Sequence, residues 1–268
     1  MNGESQPISL DIQDWSVTYT GWEKPVHAVK NCSLSVARGR IVGLVGESGS
    51  GKSTLLMSIP KLLPAGTVTS GRIYCAGGEI SRLSEDKINL WRWRRIALVP
   101  QGAMNSFTPH LTIERHISEV LRRHLGIPKR DCAQRAAELA AMAGLEKDVL
   151  YRYPHELSGG QKQRAALSAA LACEPDFLLA DEPTTALDVI TQKGVLDTIA
   201  SLVRERGMGL LLVTHDLPLA ATVSDSLAVM KDGKLVEQGP SGEVSRSPRH
   251  LYAQKLVAAI RDMEGQWE

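Results

Sequence analysis

Net charge and cysteine are both scarce in this sequence, and each shortage excludes a class of protein. Lysine and arginine number 31 against 30 aspartate and glutamate residues, a formal net charge of +1 at pH 7. This balance provides no global field that would attract nucleic acid or an anionic membrane, so we predict no nucleic-acid partner. The four cysteines lie far apart without a C-x-x-C pair, at Cys32, Cys75, Cys132 and Cys173. Their spacing argues against a disulfide framework or a zinc site.

Long apolar runs are also missing. The longest, such as 177–180 and 209–213, are far shorter than the ~20 residues that a membrane-spanning helix needs. The first 14 residues mix polar, acidic and apolar side chains and lack the basic start and apolar run of a signal peptide. We therefore expect a cytoplasmic protein that contacts a membrane only through other subunits.

Short apolar runs alternate with helical patterns along the chain. The runs Ile41–Val45, 177–180 and 210–213 are typical of parallel strands buried on both faces. Between them, two stripes have helical spacing, one of Ile113, Ile117, Val120, Leu121 and Leu125, the other of Leu196, Ile199, Leu202 and Val203. Strands that alternate with helices predict a wound α/β sheet.

A change of composition predicts an inserted helical subdomain. From about residue 104 to 156 the sequence is alanine-rich and helical in pattern, without a convincing buried strand. We therefore predict one domain over 1–268, with its core at about 1–103 and 157–240. A tail from about 241 to 268 contains one further helical stretch near 251–260.

A phosphate-binding motif follows the first apolar run. Gly46-Glu47-Ser48-Gly49-Ser50-Gly51-Lys52-Ser53 fits G-x-x-x-x-G-K-[ST] and precedes a helical pattern at 54–59. Glycines let the backbone curl so that N–H groups converge on phosphate oxygens, and the helix N-terminus adds its positive dipole end. Lys52 would reach the outer phosphates, and the Ser53 hydroxyl would bind Mg²⁺. A chance glycine-rich turn is the alternative, and the strand before and helix after disfavour it.

Two carboxylates end another apolar run. Asp181 and Glu182 follow 177–180, at the strand end where a wound sheet carries its chemistry. Asp181 is suited to hold Mg²⁺ through water, and Glu182 to orient or deprotonate the attacking water. Alone, such a pair could be a solvated turn, but beside the phosphate motif it indicates nucleotide hydrolysis.

A third motif, Leu157-Ser158-Gly159-Gly160-Gln161, stands between these two, and with it nearly the whole chain resembles the ABC ATPase family. The resemblance implies an α/β fold: a P-loop NTPase (RecA-like) core, an inserted α-helical subdomain and an N-terminal antiparallel β region. It also implies ATP and Mg²⁺ as cofactors. Gln101 is similar to the Q-loop glutamine, Asp188 in Ala186-Leu187-Asp188 to the D-loop aspartate, and His215 to the switch histidine that contacts the γ-phosphate.

The resemblance assigns site residues throughout the chain. The catalytic residues it implies are Glu182, His215 and Gln101, and the Mg²⁺-binding residues are Ser53, Gln101 and Asp181. The implied nucleotide contacts are Tyr19, Gly46, Ser48, Gly49, Ser50, Gly51, Lys52, Ser53, Thr54, Ser158, Gly159, Gly160, Gln161 and Asp188. Tyr19, in the strand-like stretch 16–20, is the candidate for stacking on adenine, but Trp15 and Trp22 lie close to it.

The third motif also has a physical logic. Ser158 and Gly159 precede a helical pattern at 161–172 and offer a hydroxyl, bare N–H groups and a helix start to a second anion. In the family, ATP is sandwiched between the phosphate loop of one subunit and this motif of another. The resemblance therefore implies a head-to-tail dimer with an identical or related ATPase. It further implies two transmembrane permease subunits, a solute-binding protein, and a place at the cytoplasmic face of the inner membrane.

Within the family, the sequence most resembles ATPases of dipeptide, oligopeptide and nickel importers, at 46–54, 100–106, 153–161 and 247–252. Thr108 departs from that branch, which usually has asparagine there. An exporter ATPase and a soluble ABC ATPase acting on ribosomes or DNA are the alternatives. The run Trp91-Arg92-Trp93-Arg94-Arg95 could suit single-stranded nucleic acid, but packing before a predicted strand at 96–99 is the favoured interpretation.

Overall fold

The computed structural model describes residues 8–21 and 24–264. Its strands are β1 (Ser9–Tyr19), β2 (Val26–Ala37), β3 (Ile41–Val45), β4 (Thr67–Cys75), β5 (Gly78–Glu79), β6 (Ile96–Val99), β7 (Phe177–Asp181), β8 (Gly209–Thr214), β9 (Ser226–Lys231) and β10 (Lys234–Pro240). Its α-helices are α1 (Lys52–Ser58), α2 (Glu85–Asn89), α3 (Ile113–Val120), α4 (Lys129–Met142), α5 (Gly159–Ala170), α6 (Val189–Arg206), α7 (Leu217–Val223), α8 (Ser241–Arg246) and α9 (Leu251–Glu264). Two compact units divide the chain: unit 1 is 1–88 with 209–268, and unit 2 is 89–208.

Unit 1 contains an antiparallel sheet near the N-terminus. Its strand order is β2-β1-β4-β5, and β1 pairs antiparallel with both β2 and β4. Leu10, Ile12, Trp15 and Val17 of β1 are buried, while Gln13 and Asp14 between them are exposed and mark the point where the pairing register shifts. The apolar face of β1 therefore fixes how this sheet packs.

Unit 1 also contains four neighbouring strands in the order β10-β9-β3-β8, in which β10 pairs antiparallel with β9. β3 pairs in parallel with β8 and β9, and every residue of β3 and β8 is buried. The continuous apolar runs therefore formed doubly buried strands, as predicted. Because Val45 pairs with Thr214, the segments that follow β3 and β8 leave the sheet at the same edge.

The C-terminal tail belongs to the core of unit 1. Tyr252, Ala253 and Val257 of α9 are buried in one apolar cluster with Val45, Leu217, Ala220, Leu227, Val229 and Val244. The stretch predicted as helical at 251–260 thus lies within α9 and packs beside the end of β3.

Unit 2 contains the remaining two strands and the helices α3 to α6. β6 and β7 pair in parallel, with Val99 opposite Ala180, and all elements between residues 104 and 156 are helical. The boundaries predicted for the helical subdomain stay a prediction. Among the described residues, no helix combines the length and apolar character needed to cross a membrane.

One of the two predicted helical stripes is partly wrong. Ile113, Ile117 and Leu121 are fully buried, but Leu125 is 43% exposed. The α-helix gives way to a π-helical turn at Leu121–Leu125, where the wider turn rotates Leu125 off the apolar face. The second stripe is correct, because all four of its members are buried in α6.

Candidate active site

The predicted phosphate loop connects β3 to α1 in unit 1. Two of its glycines stand where no other residue fits. A Cβ on Gly46 would lie 2.2 Å from the carbonyl oxygen of Met230. Gly51 has a φ of +104°, and a Cβ there would lie 2.2 Å from the carbonyl oxygen of Ala28. The backbone of the loop therefore packs directly against the backbone at Met230 and Ala28, and these contacts restrict its conformation.

Lys52 points into this loop. Its side chain belongs to a residue only 5% exposed, and Nζ donates to the carbonyl oxygens of Gly46 at 2.8 Å and Glu47 at 2.7 Å. The Ser50 hydroxyl lies 3.4 Å from the same ammonium. Two backbone carbonyl oxygens of the loop thus hold the Lys52 ammonium at the predicted phosphate site.

The helix that follows the loop starts without a side-chain cap. α1 begins at Lys52, and its N-cap residue, Gly51, provides no side-chain cap. The Ser53 and Thr54 side chains are half-buried in that turn. A helix start without such a cap directs amide groups toward an anion, which suits the predicted triphosphate.

Tyr19 lies at the end of β1 and reaches this helix. Its hydroxyl donates to Thr54 Oγ1 at 3.1 Å, so the ring stands beside the phosphate motif. Trp15 is 3% exposed and its Nε1 donates to Ser58 Oγ at 2.8 Å, which makes it a core residue. Trp22 lies outside the described residues. Tyr19 is therefore the better adenine candidate of the two aromatics that the structure describes here.

Replacing Tyr19 with alanine is expected to raise the Kd for ATP about tenfold, since stacking on a base is worth ~1–3 kcal/mol. Titration of a fluorescent ATP analogue measures the change. Tyr19→Phe is the matched control, because it keeps the ring and removes only the bond to Thr54. An alanine variant that binds as tightly as the wild type would move the adenine contact to another residue.

His215 follows β8 and is exposed at the edge of the parallel strands in unit 1. Asp216 caps α7 by accepting from the Leu219 N–H at 2.8 Å, and its own N–H donates to Thr214 Oγ1 at 3.1 Å. These bonds fix the backbone on the C-terminal side of His215. Since β3 and β8 are parallel neighbours, His215 and the phosphate loop emerge at the same edge.

Unit 2 brings Gln101 and Glu182 together. Gln101 follows β6 and Glu182 follows β7, and Gln101 Nε2 donates to Glu182 Oε2 at 3.0 Å. Glu182 has a φ of 45°, in the left-handed region that residues other than glycine seldom occupy. Asp181, at the end of β7, is only 3% exposed. The left-handed backbone at Glu182 therefore comes directly after the last residue of β7, Asp181.

Thr185 is a site residue that the sequence reasoning missed. Its hydroxyl donates to Glu182 Oε2 at 2.9 Å, and its N–H donates to the Glu182 carbonyl oxygen at 3.2 Å. A hydroxyl residue three positions after a carboxylate, in a turn, was the available signal. The Gln101 amide and the Thr185 hydroxyl therefore both donate to Oε2 of Glu182, which fixes the orientation of the carboxylate.

The third motif, at 157–161 and called the signature from here on, folds as a capped helix start. Ser158 Oγ accepts from the Gln161 N–H at 3.2 Å, and the Gln161 side chain accepts from the Ser158 N–H at 3.0 Å. This capping box leaves the Ser158 hydroxyl hydrogen available to a ligand. It also directs the Gln161 side chain at the Ser158 backbone, so Gln161 orders the motif.

The glycines of the signature pack against the D-loop in unit 2. A Cβ on Gly159 would lie 2.9 Å from Leu187 Cδ2, and one on Gly160 would lie 2.8 Å from Thr191 Cγ2. Asp188 caps α6, accepting from the Thr191 N–H at 3.0 Å and from its hydroxyl at 2.7 Å. These hydrogen bonds from Thr191, the side-chain one first, hold the pKa of Asp188 below its usual value. The signature and Asp188 thus form one surface.

The basic aromatic run is engaged in local packing. Trp93 stacks on His124 with ring centroids 5.5 Å apart, and Arg94 Nε donates to the His124 carbonyl oxygen at 2.9 Å. Arg95 forms an ion pair with Asp176 at 2.6 Å. These contacts agree with the packing role favoured by the sequence.

No group of three or more His, Cys, Asp or Glu side chains suited to a metal occurs in the described part of the chain. The residues predicted for Mg²⁺ are instead a hydroxyl, an amide and a single carboxylate: Ser53, Gln101 and Asp181. These are hard oxygen donors, which fit an ion that keeps several waters and is carried by phosphate oxygens.

Comparison with known proteins identifies the class. The profile of the family described as "ABC transporter" matches residues 29–185. The "Probable D,D-dipeptide transport ATP-binding protein DdpD" of Escherichia coli (strain K12) is 39% identical, over 94% of this chain and 78% of that protein. The "Oligopeptide transport ATP-binding protein OppD" of Bacillus subtilis (strain 168) is 36% identical, over 97% of this chain and 74% of that protein.

Solved structures agree with this class. A "Dimeric Structure of MJ0796, a Bacterial ABC Transporter Cassette" has a TM-score of 0.78 and 31% identity, covering 87% of this chain and 98% of that one. The same cassette in a post-hydrolysis state bound to ADP and Pi has a TM-score of 0.77. The chain thus has the fold of an ATP-binding cassette, as predicted. It belongs to the ABC transporter family, and it is an ATPase.

Proposed function

We propose that this chain is the ATP-hydrolysing subunit of an ABC importer for dipeptides or oligopeptides. The observation that carries the enzymatic part is the Glu182 carboxylate, held at a strand end by Gln101 and Thr185. The transport part rests on relatives named for dipeptide and oligopeptide transport, which are similar over nearly the whole chain. Nickel, the other substrate predicted from the resemblance, stays a prediction.

ATP binds along unit 1 in this proposal. Tyr19 stacks on adenine, and the loop amides with Lys52 hold the outer phosphates. His215 contacts the γ-phosphate. The further contacts lie in the same stretch of chain, at Gly46, Ser48, Gly49, Ser50, Gly51, Ser53 and Thr54. Three observations support this assignment. Only glycine fits at Gly46 and Gly51, the side chain of Lys52 is buried, and α1 starts without a side-chain cap.

Ser53, Asp181 and Gln101 are proposed to hold Mg²⁺. The ion supplies positive charge that offsets the charge of the phosphates. Burial of Asp181 supports its part, because a buried carboxylate is stabilised by a cation. Glu182 orients the attacking water and accepts its proton, and Gln101 with Thr185 keeps the carboxylate in the required direction.

A second cassette completes the site. Ser158, Gly159, Gly160 and Gln161, with Asp188, form the surface that faces the ATP of a partner arranged head to tail. The partner is an identical or a related chain. The available Ser158 hydroxyl hydrogen supports this role, as do the dimeric cassettes among the similar structures. Two transmembrane permease subunits anchor the pair at the cytoplasmic face of the inner membrane. Through these subunits the pair is linked indirectly to a solute-binding protein.

Co-purification tests the transporter assignment. Tagged Glu182→Gln protein, isolated from detergent-solubilised membranes with ATP present, is expected to bring down two integral membrane proteins, identified by mass spectrometry. Uptake of labelled dipeptide against labelled nickel, with and without the gene, then separates the two predicted substrates. Recovery of ribosomal or DNA-repair proteins without membrane partners would contradict the importer.

A further inference from the structure

The C-terminal helix contacts the phosphate loop directly. The Tyr252 hydroxyl, in the first turn of α9, accepts a hydrogen bond from the Glu47 N–H at 3.3 Å, across 205 positions of sequence. Glu47 is the second residue of the loop. We propose that Tyr252 is a positioning residue, through which the C-terminal helix holds the loop in the form that binds ATP. This inference rests on the assignment of the loop proposed above.

The position of the Tyr252 ring is fixed by contacts that do not involve the loop. The residue is 7% exposed and packs in the same cluster as Val45, the last residue before the loop. Lys231 Nζ lies 4.6 Å from the ring centroid, a cation–π contact. Burial raises the pKa of the Tyr252 hydroxyl above its usual value.

Hydrogen bonds also fix the position of the start of α9. The Glu237 carboxylate of β10 accepts from the N–H of Arg249 at 2.7 Å and from that of His250 at 2.9 Å. The Tyr252 N–H donates to His250 Nδ1 at 3.1 Å. Glu237 lies on β10, which pairs antiparallel with β9, and β9 pairs with β3, the strand that precedes the loop. The hydroxyl position is therefore tied to the strands that carry the loop.

The opposite side of the loop has its own support. The Gly233 N–H, in the turn between β9 and β10, donates to the Ser50 carbonyl oxygen at 3.0 Å. Within the loop, the Ser50 N–H donates to the Glu47 carbonyl oxygen at 3.2 Å. Glu47, Ser48 and Gly49 are exposed. The Tyr252 bond is therefore an anchor for the solvent-facing half of the loop, and the Gly233 bond is an anchor at Ser50.

This arrangement has a consequence for affinity. A loop that is already in its binding conformation loses less conformational entropy when the ligand binds. Loss of the Tyr252 bond frees the exposed half of the loop, and part of the ordering cost then falls on ATP binding. The hydrolytic residues Glu182, Gln101 and Thr185 are not part of this contact. Loss of the bond should therefore lower the affinity for ATP and leave the rate of ATP hydrolysis unchanged.

Tyr252→Phe tests the inference, since it keeps the ring and removes the hydroxyl. One neutral hydrogen bond predicts a Kd and a KM for ATP raised about 3- to 10-fold, with kcat unchanged. Hydrogen exchange of the Glu47 amide in nucleotide-free protein is expected to quicken. Tyr74→Phe is the matched control, because its hydroxyl accepts only from Arg72 at 3.2 Å in the antiparallel sheet among the bonds described.

A second variant tests the same inference without changing Tyr252, in case Tyr252→Phe misfolds. Glu237→Gln weakens the anchor of α9 and leaves the Tyr252 ring in place, so it should also raise KM and quicken exchange at Glu47. Wild-type KM and exchange in both variants would overturn the inference. Lys52→Ala separates this failure from a failure of the loop assignment. If Lys52→Ala no longer binds ATP while Tyr252→Phe has the KM and Glu47 exchange of the wild type, only the positioning role is wrong.

Discussion

Replacing Glu182 with glutamine is expected to lower kcat for ATP hydrolysis by about 10²- to 10⁴-fold, the usual contribution of a general base. Glutamine has nearly the same shape, and its side-chain oxygen can still accept from Gln101 and Thr185. The arrangement therefore persists while the proton acceptor is lost. ATP binding should be retained, and phosphate release is the measurement.

The same variant should accumulate as an ATP-bound dimer, because ATP that is not hydrolysed keeps the two cassettes together. Size-exclusion chromatography with light scattering, with and without ATP, measures this. Glu119→Gln, on the exposed face of α3, is the matched control and should behave as the wild type. Normal turnover by Glu182→Gln would remove Glu182 from the catalytic step and leave Asp181 as the remaining carboxylate at this strand end.

Much of the edge that carries the chemistry could be predicted from the sequence. Continuous apolar runs predicted β3, β7 and β8, because only strands buried on both faces dispense with polar alternation. Within each unit, parallel pairing then brings the residues that follow neighbouring strands to the same edge. Gln101 and Glu182, 81 positions apart, meet for this reason.

Other features depend on contacts that no local pattern encodes. Leu125 was predicted to be buried because its spacing fits an α-helix, but a π-helical turn breaks that spacing. Trp15 and Tyr19 share β1, and only their tertiary partners, Ser58 and Thr54, separate a core residue from an adenine candidate. The Tyr252 contact joins the last helix to the first motif, and nothing in a motif of eight residues predicts it.

Replacing Lys52 with alanine is expected to weaken ATP binding by at least roughly 100-fold, since charge-assisted hydrogen bonds contribute about 1.5–3 kcal/mol each and Lys52 is assigned more than one phosphate contact. Calorimetric titration with ATP measures the loss. Lys234→Ala, an exposed lysine of β10 in the same unit, is the matched control and should bind ATP normally.

The ammonium of Lys52 also stabilises the loop itself, because it bridges the carbonyl oxygens of Gly46 and Glu47. An alanine variant could therefore lose ATP through a collapsed loop. Exchange of the Glu47 amide separates the two causes. If exchange stays slow while binding is lost, the loop is intact and the missing charge explains the loss. Unchanged ATP affinity in Lys52→Ala would contradict the assignment of this loop as the phosphate site, because a buried ammonium that contributes nothing to binding has no phosphate to contact.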